Sequence, residues 1–128
     1  QGDIAALRKV MNNAFFAICP LSNIVIHNTL PPIGLMRKNG LAIALGTDSL
    51  SSNDDLDMVK EMACLHENFP EVPMDEILTW ACLNGARFLG KEDRLGSLSA
   101  GKRPGIVHVT GIDADGYVTS ESKSRRII

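Results

Sequence analysis

Two short, uninterrupted apolar runs stand out in the pattern of hydrophobic and polar residues along the chain. The first covers residues 14–18 and closes at Cys19-Pro20, and the second covers residues 41–45 and closes at Gly46. Runs of this length without polar alternation are typical of strands that are buried on both faces, as in a parallel sheet covered by helices. The pattern therefore predicts two buried parallel strands.

Apolar residues at helical spacing surround these two runs. We predict helices at residues 3–11, 30–38, 54–68 and 74–89. Pro70 and Pro73 separate the last two helices. This alternation of helices and strands indicates parallel strands joined by right-handed crossovers, which is the α/β class.

After Gly90 the sequence pattern changes from helical periodicity to glycine-rich turns around short apolar segments. We predict strands at residues 106–109 and 117–119, with Asp115-Gly116 as a hairpin turn between them. The change divides the chain into a part at residues 1–92 and a smaller β part at residues 93–128.

Two buried strands cannot close a sheet, and an open pair would leave apolar edges that natural proteins avoid. An eight-stranded α/β barrel typically takes about 250 residues, so this chain has room for roughly a quarter of its strands. The chain starts at Gln1 without an initiator Met and without the pattern of a signal peptide. These features favour a natural N-terminus that lies upstream.

Composition limits the function classes. Of the 128 residues, 45% are hydrophobic and 22% charged, with a net charge of -2, which is typical of a soluble globular domain or part of one. The near-neutral balance gives no electrostatic basis for binding nucleic acid or an anionic membrane. No segment reaches the roughly 18 apolar residues that cross a bilayer. The separated cysteines Cys19, Cys64 and Cys82 favour reduced, buried thiols in a cytoplasmic protein.

Asp48 is the most informative candidate for a catalytic or metal-binding residue. It follows Gly46-Thr47 at the C-terminal end of the second predicted strand, where α/β barrels and open α/β sheets build their active sites. A carboxylate there can bind a metal ion or accept a proton from a metal-bound water. The local pattern alone favours a structural role instead, in which Asp48 caps the next helix or forms a turn.

Ser22 and Asn23 follow the end of the first predicted strand. They can hydrogen-bond a ligand, or they can belong to an ordinary strand-to-loop turn, because Pro, Ser and Asn are common turn residues. His27 is predicted to lie in a loop. The spacing of His27, His66 and His108 does not match that of metal ligands.

Four segments, taken in order, resemble the amidohydrolases. They are Cys19-Pro20-Leu21-Ser22-Asn23, residues 41–53 with their Gly-Thr-Asp core, residues 84–90 and residues 95–102. The likeness points to the branch that contains S-adenosylhomocysteine and methylthioadenosine deaminases, aminofutalosine deaminase and triazine chlorohydrolases. It implies that the chain is the C-terminal part of a (β/α)8 TIM barrel, with the last two strands and the following helices, plus part of a small β-sandwich at residues 93–128.

The resemblance also implies a reaction and a site. Asp48 matches the aspartate of the last barrel strand, which in the family ligates the catalytic zinc or iron and helps to deprotonate the attacking water. We expect a hydrolytic deaminase of a small molecule, an aminated heterocycle or nucleoside, with zinc preferred over iron as the divalent metal. The matching loop positions make the expected substrate-binding residues Ser22, Asn23, Ser49, Ser52 and Asn53.

The chain also departs from the family pattern. The His-x-His motif, the other metal histidines and the catalytic glutamate of the family have no counterpart here, and chain order places them upstream of Gln1. Ile18-Cys19 stands where some deaminases of this branch have His-Asn, and Pro104-Gly105 replaces a common Ala-Asp pair. We therefore expect the isolated chain to be inactive, with the missing N-terminal part of the same protein as its partner.

Two alternatives remain open at the level of sequence. The chain can be a non-catalytic small α/β module for binding or oligomerisation, or an unrelated open-sheet enzyme that uses Asp48. No Gly-rich phosphate loop of the Walker type supports the second alternative. Exposed sheet edges would favour a homo-oligomer both for the amidohydrolase and for the small module.

Overall fold

The computed structural model describes Ala6 and residues 14–128. The helix predicted at residues 3–11 lies outside the described residues apart from Ala6. The described chain is mixed α/β. Its elements are β1 Phe15–Ile18, α1 Pro20–His27, α2 Ile33–Lys38, β2 Ala42–Leu45, α3 Met58–Asn68, α4 Met74–Leu78, a π-helical segment Thr79–Asn84, α5 Gly85–Phe88, β3 Val107–Thr110 and β4 Lys123–Arg126.

The two apolar runs form the predicted parallel pair. β1 and β2 pair in register from Phe15 opposite Ala42 to Ile18 opposite Leu45, so both predicted strands are confirmed to within one residue at their ends. The Gly46 N–H donates to the Ile18 carbonyl at 2.9 Å and extends the pairing past the end of β2. Because the strands are parallel, the segments that follow them emerge at the same edge of the sheet.

The segment after β1 is a helix, α1. The predicted loop at His27 is therefore wrong, and so is the interpretation of Ser22 and Asn23 as part of a strand-to-loop turn. Pro20 occupies the first helical position, where the missing N–H of proline costs nothing and its fixed φ favours a helix. Asn28, at φ +49°, ends α1 in the left-handed conformation. Pro20 and Asn28 are residue types common in turns, but here they begin and end a helix.

The later helices follow the predicted pattern with two shortened starts. Helix α2 begins at Ile33 rather than at residue 30. Helix α3 begins at Met58 rather than near residue 54, because the Asp57 side chain caps it by accepting from the Val59 N–H at 2.9 Å. Residues 74–88 run as one helical stretch with the π-helical segment in its middle. Within that segment, the buried Asn84 Nδ2 donates to the Ile43 carbonyl at 2.7 Å and ties the helix to β2.

The core lies where α2, β2, α3 and the 74–88 stretch meet. Its fully buried apolar side chains include Ile33, Ile43, Leu65 and Ile77, all at most 1% exposed. Val118 joins this cluster from the C-terminal part of the chain. Parallel rings of His66 and Tyr117, with centroids 3.8 Å apart, form a second contact between α3 and that part.

The C-terminal part forms an antiparallel pair, of which one strand was predicted: the strand expected at residues 106–109 is confirmed to within one residue as β3. β3 pairs with β4, with Val107 opposite Arg126, so a strand at residues 117–119 is wrong. The Asp113 side chain accepts from the backbone N–H groups of Asp115 and Tyr117, which holds this segment as a turn. The turn is therefore present, but the returning strand starts at Lys123.

Within the described part of the chain, no helix combines the length and apolar character needed to cross a lipid bilayer.

Candidate functional site

Asp48 lies three residues beyond the end of β2, at the edge where α1 also begins. Its side chain is exposed, and its backbone has φ +57°, a left-handed conformation that is uncommon for residues other than glycine. Such backbone strain persists only where surrounding contacts fix it, and it clusters at functional sites. The structure thus presents one carboxylate to solvent from a constrained backbone.

Two serine hydroxyls hold the same oxygen of this carboxylate. The Ser22 hydroxyl, on α1, donates to Asp48 Oδ2 at 2.8 Å, and the Ser52 hydroxyl donates to the same atom at 3.0 Å. Both serines are buried, with 2% and 6% of their surface exposed, and their oxygens lie 2.9 Å apart. Both hydroxyls bind Oδ2, so neither serine occupies the other carboxylate oxygen, Oδ1, which can accept another partner.

These hydrogen bonds also set the charge of the site. The bond from Ser22, followed by that from Ser52, lowers the pKa of the Asp48 carboxyl, and the Ser49 backbone N–H acts in the same direction against partial desolvation. Donors that favour the ionised form make a carboxyl a stronger acid. Asp48 is therefore an anion that stays ionised to lower pH than an ordinary aspartate.

A second layer of contacts lies beneath the serines. Asn53 uses both hydrogens of its amide: Nδ2 donates to the Thr47 carbonyl at 3.0 Å and to Glu61 Oε1 at 2.6 Å. Glu61 Oε2 accepts from the Leu21 backbone N–H at 2.9 Å. Burial raises the pKa of Glu61, and the hydrogen bonds from Leu21 and Asn53 oppose that rise.

The structure brings together four of the other five predicted site residues around the Asp48 carboxylate. Ser22, Ser52 and the Ser49 backbone act on it directly, and Asn53 holds the neighbouring Thr47. The Ser49 hydroxyl turns instead to Ser51 Oγ, 2.6 Å away. Contact of any of these residues with substrate stays a prediction.

Asn23 stands apart from this cluster. Its side-chain oxygen Oδ1 is buried and has no hydrogen-bond partner among the residues that the structure describes. Buried amide oxygens are rarely left without a donor, so this atom is available to a group from outside the described chain. Its role in binding substrate also stays a prediction.

Sequence reasoning missed Glu61. Its carboxylate is fully buried, although Glu is almost never fully buried without a partner. The signal was present in the sequence, because Glu61 stands between Val59 and Met62 on the apolar side of α3. A charged residue inside an apolar stripe indicates a buried polar contact that the pattern itself does not identify.

The chemistry of these residues suits one ligand of a divalent metal ion. Asp48 offers a carboxylate oxygen, which zinc and iron accept, and the serines fix its other oxygen. No group of three or more His, Cys, Asp or Glu side chains suited to holding a metal occurs among the described residues. Cys19 lies near Asp48, but burial raises the pKa of its thiol, opposed by the Asp48 backbone N–H.

A cavity of about 390 Å³ opens beside this cluster, between α1, residues 50–55 and α3. Ser52, Asn53 and Cys64 line part of its wall, together with Leu21 and Lys60. Asp48 does not line it. The cavity therefore adjoins Ser52 and Asn53 without including the carboxylate itself.

Comparison with known proteins matches this chain to deaminases and to a triazine hydrolase. It is 40% identical over 100 residues to a 5-methylthioadenosine/S-adenosylhomocysteine deaminase of Moorella thermoacetica, covering 73% of this chain and 23% of that protein. It is 30% identical over 95 residues to an S-triazine hydrolase of Gordonia rubripertincta, covering 69% of this chain and 20% of that protein. The chain thus spans only about a quarter or less of the length of these relatives.

Solved structures similar to this chain are also deaminases. A zinc-bound adenosine deaminase of Xanthomonas campestris superposes with a TM-score of 0.70 at 29% identity, covering 83% of this chain and 25% of that one. The aminofutalosine deaminase of Helicobacter pylori gives a TM-score of 0.67 at 28% identity, covering 80% of this chain and 26% of that one. The model of the amidohydrolase family matches residues 2–125. This chain therefore belongs to the amidohydrolase family.

Proposed function

We propose that the protein containing this chain is a metal-dependent hydrolase that deaminates an aminated heterocycle or nucleoside, with Asp48 as a metal ligand and proton acceptor. One observation carries the proposal: an exposed carboxylate stands at the carboxyl end of a parallel strand, with one oxygen fixed by two buried serine hydroxyls. Family membership and the deaminase names of the relatives support the reaction class.

Asp48 suits both parts of this role. Its ionised state, favoured by Ser22 and Ser52, lets it bind a cation at neutral pH, and the unprotonated carboxylate can take up a proton during the reaction. The serines hold Oδ2 in place, so the carboxylate does not have to reorganise when it acts. In the overall reaction, water adds to the ring carbon that carries the amino group, the C–N bond breaks, and ammonia leaves with the transferred proton.

A bound divalent ion, zinc in preference to iron, would lower the pKa of water enough to supply a nucleophile near neutral pH. Among the described residues, Asp48 would hold this ion. A catalytic zinc site usually has three protein ligands, so the remaining ligands would come from sequence outside the described residues. We accordingly expect the isolated chain to be inactive.

We further propose that β1 and β2 are the last two strands of a (β/α)8 TIM barrel, and that residues 93–128 are part of a small β-sandwich. The parallel pairing and the coverage of only about a quarter of the solved deaminases support this assignment. A two-stranded sheet needs more strands or packing for independent stability. The missing N-terminal part of the same protein would supply them.

A homo-oligomer is also proposed for the complete protein. Val25 and Ile26 are 67% and 56% exposed on α1. Where exposed apolar residues form a contiguous patch, another protein element commonly covers it, and in this proposal a second copy of the protein does so. Light scattering on the complete protein measures the state directly, and a monomer would contradict this part of the proposal.

The proposal is tested on the complete protein. Zinc content is measured by elemental analysis, and ammonia release is measured with methylthioadenosine, S-adenosylhomocysteine, adenosine and guanine, while a chlorinated triazine tests for chloride release. We expect bound metal and ammonia release from one of these amines. Metal-free protein with full activity would contradict the proposal, and chloride release alone would replace deamination with dechlorination.

Asp48→Asn is the decisive variant, because it keeps the shape of the side chain and removes its charge. We expect a loss of activity larger than the about 10–100-fold that an outer partner of a metal ligand costs. Asp93→Asn, at an exposed position in the C-terminal part, is the matched control and should keep full activity. Equal activity of the two variants would show that Asp48 is not in the site.

A further inference from the structure

Glu61 is a buried carboxylate without a matching cation. Its side chain is 0% exposed, and neither ion pair found within residues 14–128, Arg37–Glu76 or Lys60–Asp55, includes it. Burying a carboxylate is costly unless its oxygens are well hydrogen-bonded. An apolar residue would fill this position of α3 without that cost. The hydrogen bonds that the carboxylate accepts are therefore the reason to look for a specific role of Glu61.

The two hydrogen bonds of Glu61 reach two different segments. Oε2 accepts from the Leu21 N–H in the first turn of α1, and Oε1 accepts from the Asn53 amide in the segment that follows β2. These two partners are 32 residues apart in sequence, as the difference between positions 53 and 21 shows. Glu61 therefore joins the segments that leave the ends of the two strands.

Each partner of Glu61 is next in sequence to a serine that holds Asp48. Leu21 precedes Ser22, and Asn53 follows Ser52, and both hydroxyls converge on Asp48 Oδ2. A shift of either segment by a few tenths of an ångström would lengthen one of these hydrogen bonds. The position of the carboxylate thus depends on how firmly the two segments are joined.

We propose that Glu61 is a positioning residue for the Asp48 carboxylate: by accepting from Leu21 and Asn53 it fixes the two segments whose serine hydroxyls hold Asp48 Oδ2. Its hydrogen bonds go to Leu21 and Asn53 and not to Asp48, so it acts through Ser22 and Ser52. The inference rests on the proposed function for its catalytic consequence. Its geometric content stands without that function.

Glu61→Gln is the informative substitution. Gln keeps the shape of the side chain, but its amide nitrogen is a donor and cannot accept, so one of the two bonds, to Leu21 or to Asn53, is lost in either orientation of the amide. Glu76→Gln is the matched control, because Glu76 pairs with Arg37 on the far helices α2 and α4. Both variants are made in the complete protein.

We expect Glu61→Gln to lower kcat/KM and zinc affinity by about tenfold or more, as partners of metal ligands do, while Glu76→Gln stays within about twofold of wild type. In a Ser22→Ala/Ser52→Ala background, Glu61→Gln should cost no more than about twofold, because the hydroxyls that it positions are gone. A full tenfold cost in that background would overturn the inference.

Crystal structures of the metal-free proteins separate this inference from the proposed function. In Glu61→Gln we expect the Ser22 or Ser52 oxygen to move beyond 3.5 Å from Asp48 Oδ2, outside hydrogen-bond range. Distances unchanged from 2.8 and 3.0 Å would overturn the positioning role, whatever the protein catalyses. Lack of metal and of deaminase activity in the wild type would instead overturn the proposed function alone.

A second variant covers the case in which Glu61→Gln does not fold. Asn53→Ala removes one arm of the bridge at a site that is 9% exposed. We expect a smaller loss of zinc affinity in the same direction, with the Ser52–Asp48 distance lengthened. Wild-type zinc affinity and an unchanged distance in Asn53→Ala would overturn the inference.

Discussion

The two serine hydroxyls on Asp48 give a prediction that can be worked from the structure. Ser22→Ala removes the shorter hydrogen bond, 2.8 Å, and leaves Ser52 at 3.0 Å on the same oxygen. Ser52 is also 3.3 Å from the Ser49 carbonyl, so its single hydrogen has a competing acceptor. Because Ser22 is 2% exposed, bulk water cannot simply take its place.

The magnitude follows from the number of donors lost. Removing a partner of a metal ligand costs about 10–100-fold in metal affinity or activity. Since one hydroxyl remains in Ser22→Ala, we expect a loss near the lower end, about tenfold. The double variant Ser22→Ala/Ser52→Ala leaves neither hydroxyl and should approach about hundredfold.

The assay is zinc binding by the complete apoprotein in competition with a chelator, together with kcat/KM for ammonia release. Ser99→Ala serves as the control, because Ser99 is exposed and its hydroxyl contacts that of Ser97, away from Asp48. It should match wild type. Zinc affinity of the double variant within about twofold of wild type would refute the reasoning, since partners of metal ligands normally have measurable effects.

The pH dependence gives a second readout of the same variant. The hydrogen bond from Ser22 makes the largest contribution to lowering the pKa of Asp48. Ser22→Ala should therefore raise that pKa toward its ordinary value. Metal binding requires the deprotonated carboxylate. The pH below which zinc is lost should therefore move upward in the variant, and a shift downward or no shift would contradict the hydrogen-bond assignment.

Three further predictions concern packing and ionisation. Gly96→Ala should destabilise the protein by about 1–3 kcal/mol more than Gly101→Ala in urea denaturation, because both glycines have positive φ, but only at Gly96 would a Cβ lie 2.8 Å from the Ala86 Cβ. Burial raises the pKa of Glu61 above the pKa that this residue has in the unfolded chain. Glu61 therefore contributes to the stability of the folded protein at pH values below its unfolded pKa, and this contribution is lost as the pH rises through its folded pKa. The Tm of Glu61→Gln relative to wild type should accordingly rise from about pH 4 to about pH 7. Burial raises the pKa of the Cys64 thiol to about 11, so iodoacetamide should alkylate it far more slowly in the folded protein than after denaturation.

Each of these predictions has a clear contrary result. Equal destabilisation by Gly96→Ala and Gly101→Ala would show that the C-terminal part does not pack on the 74–88 stretch as the structure has it. A Tm difference that is flat with pH would mean that Glu61 titrates as an exposed carboxyl. Rapid alkylation of Cys64 in the folded protein would mean that α3 opens readily.

The sequence by itself determined the elements whose signal is local. The two apolar runs gave β1 and β2 to within one residue, because strands buried on both faces need uninterrupted apolar side chains. The periodic helices at residues 58–68 and 74–88 were found for the same kind of reason. The position of Asp48 beyond the end of β2 followed directly from the strand boundary.

Local signals were ambiguous where one residue type serves two structures. Pro20, Ser22 and Asn23 suit a turn, but Pro20 also suits the first turn of a helix, and α1 forms there. Asp113 makes the turn after β3, yet the returning strand starts only at Lys123. Which of these outcomes occurs depends on what the segment packs against, and that information is not local.

Only the tertiary structure decided how the site is held together. Ser22, Asp48 and Glu61 lie far apart in sequence, and parallel pairing of β1 with β2 brings the first two to one edge, while α3 carries the third beneath them. No periodicity encodes that Glu61 accepts from Leu21 and Asn53. Hydrogen bonds between segments depend on distances of a few ångströms, which the order of residues along a chain does not contain.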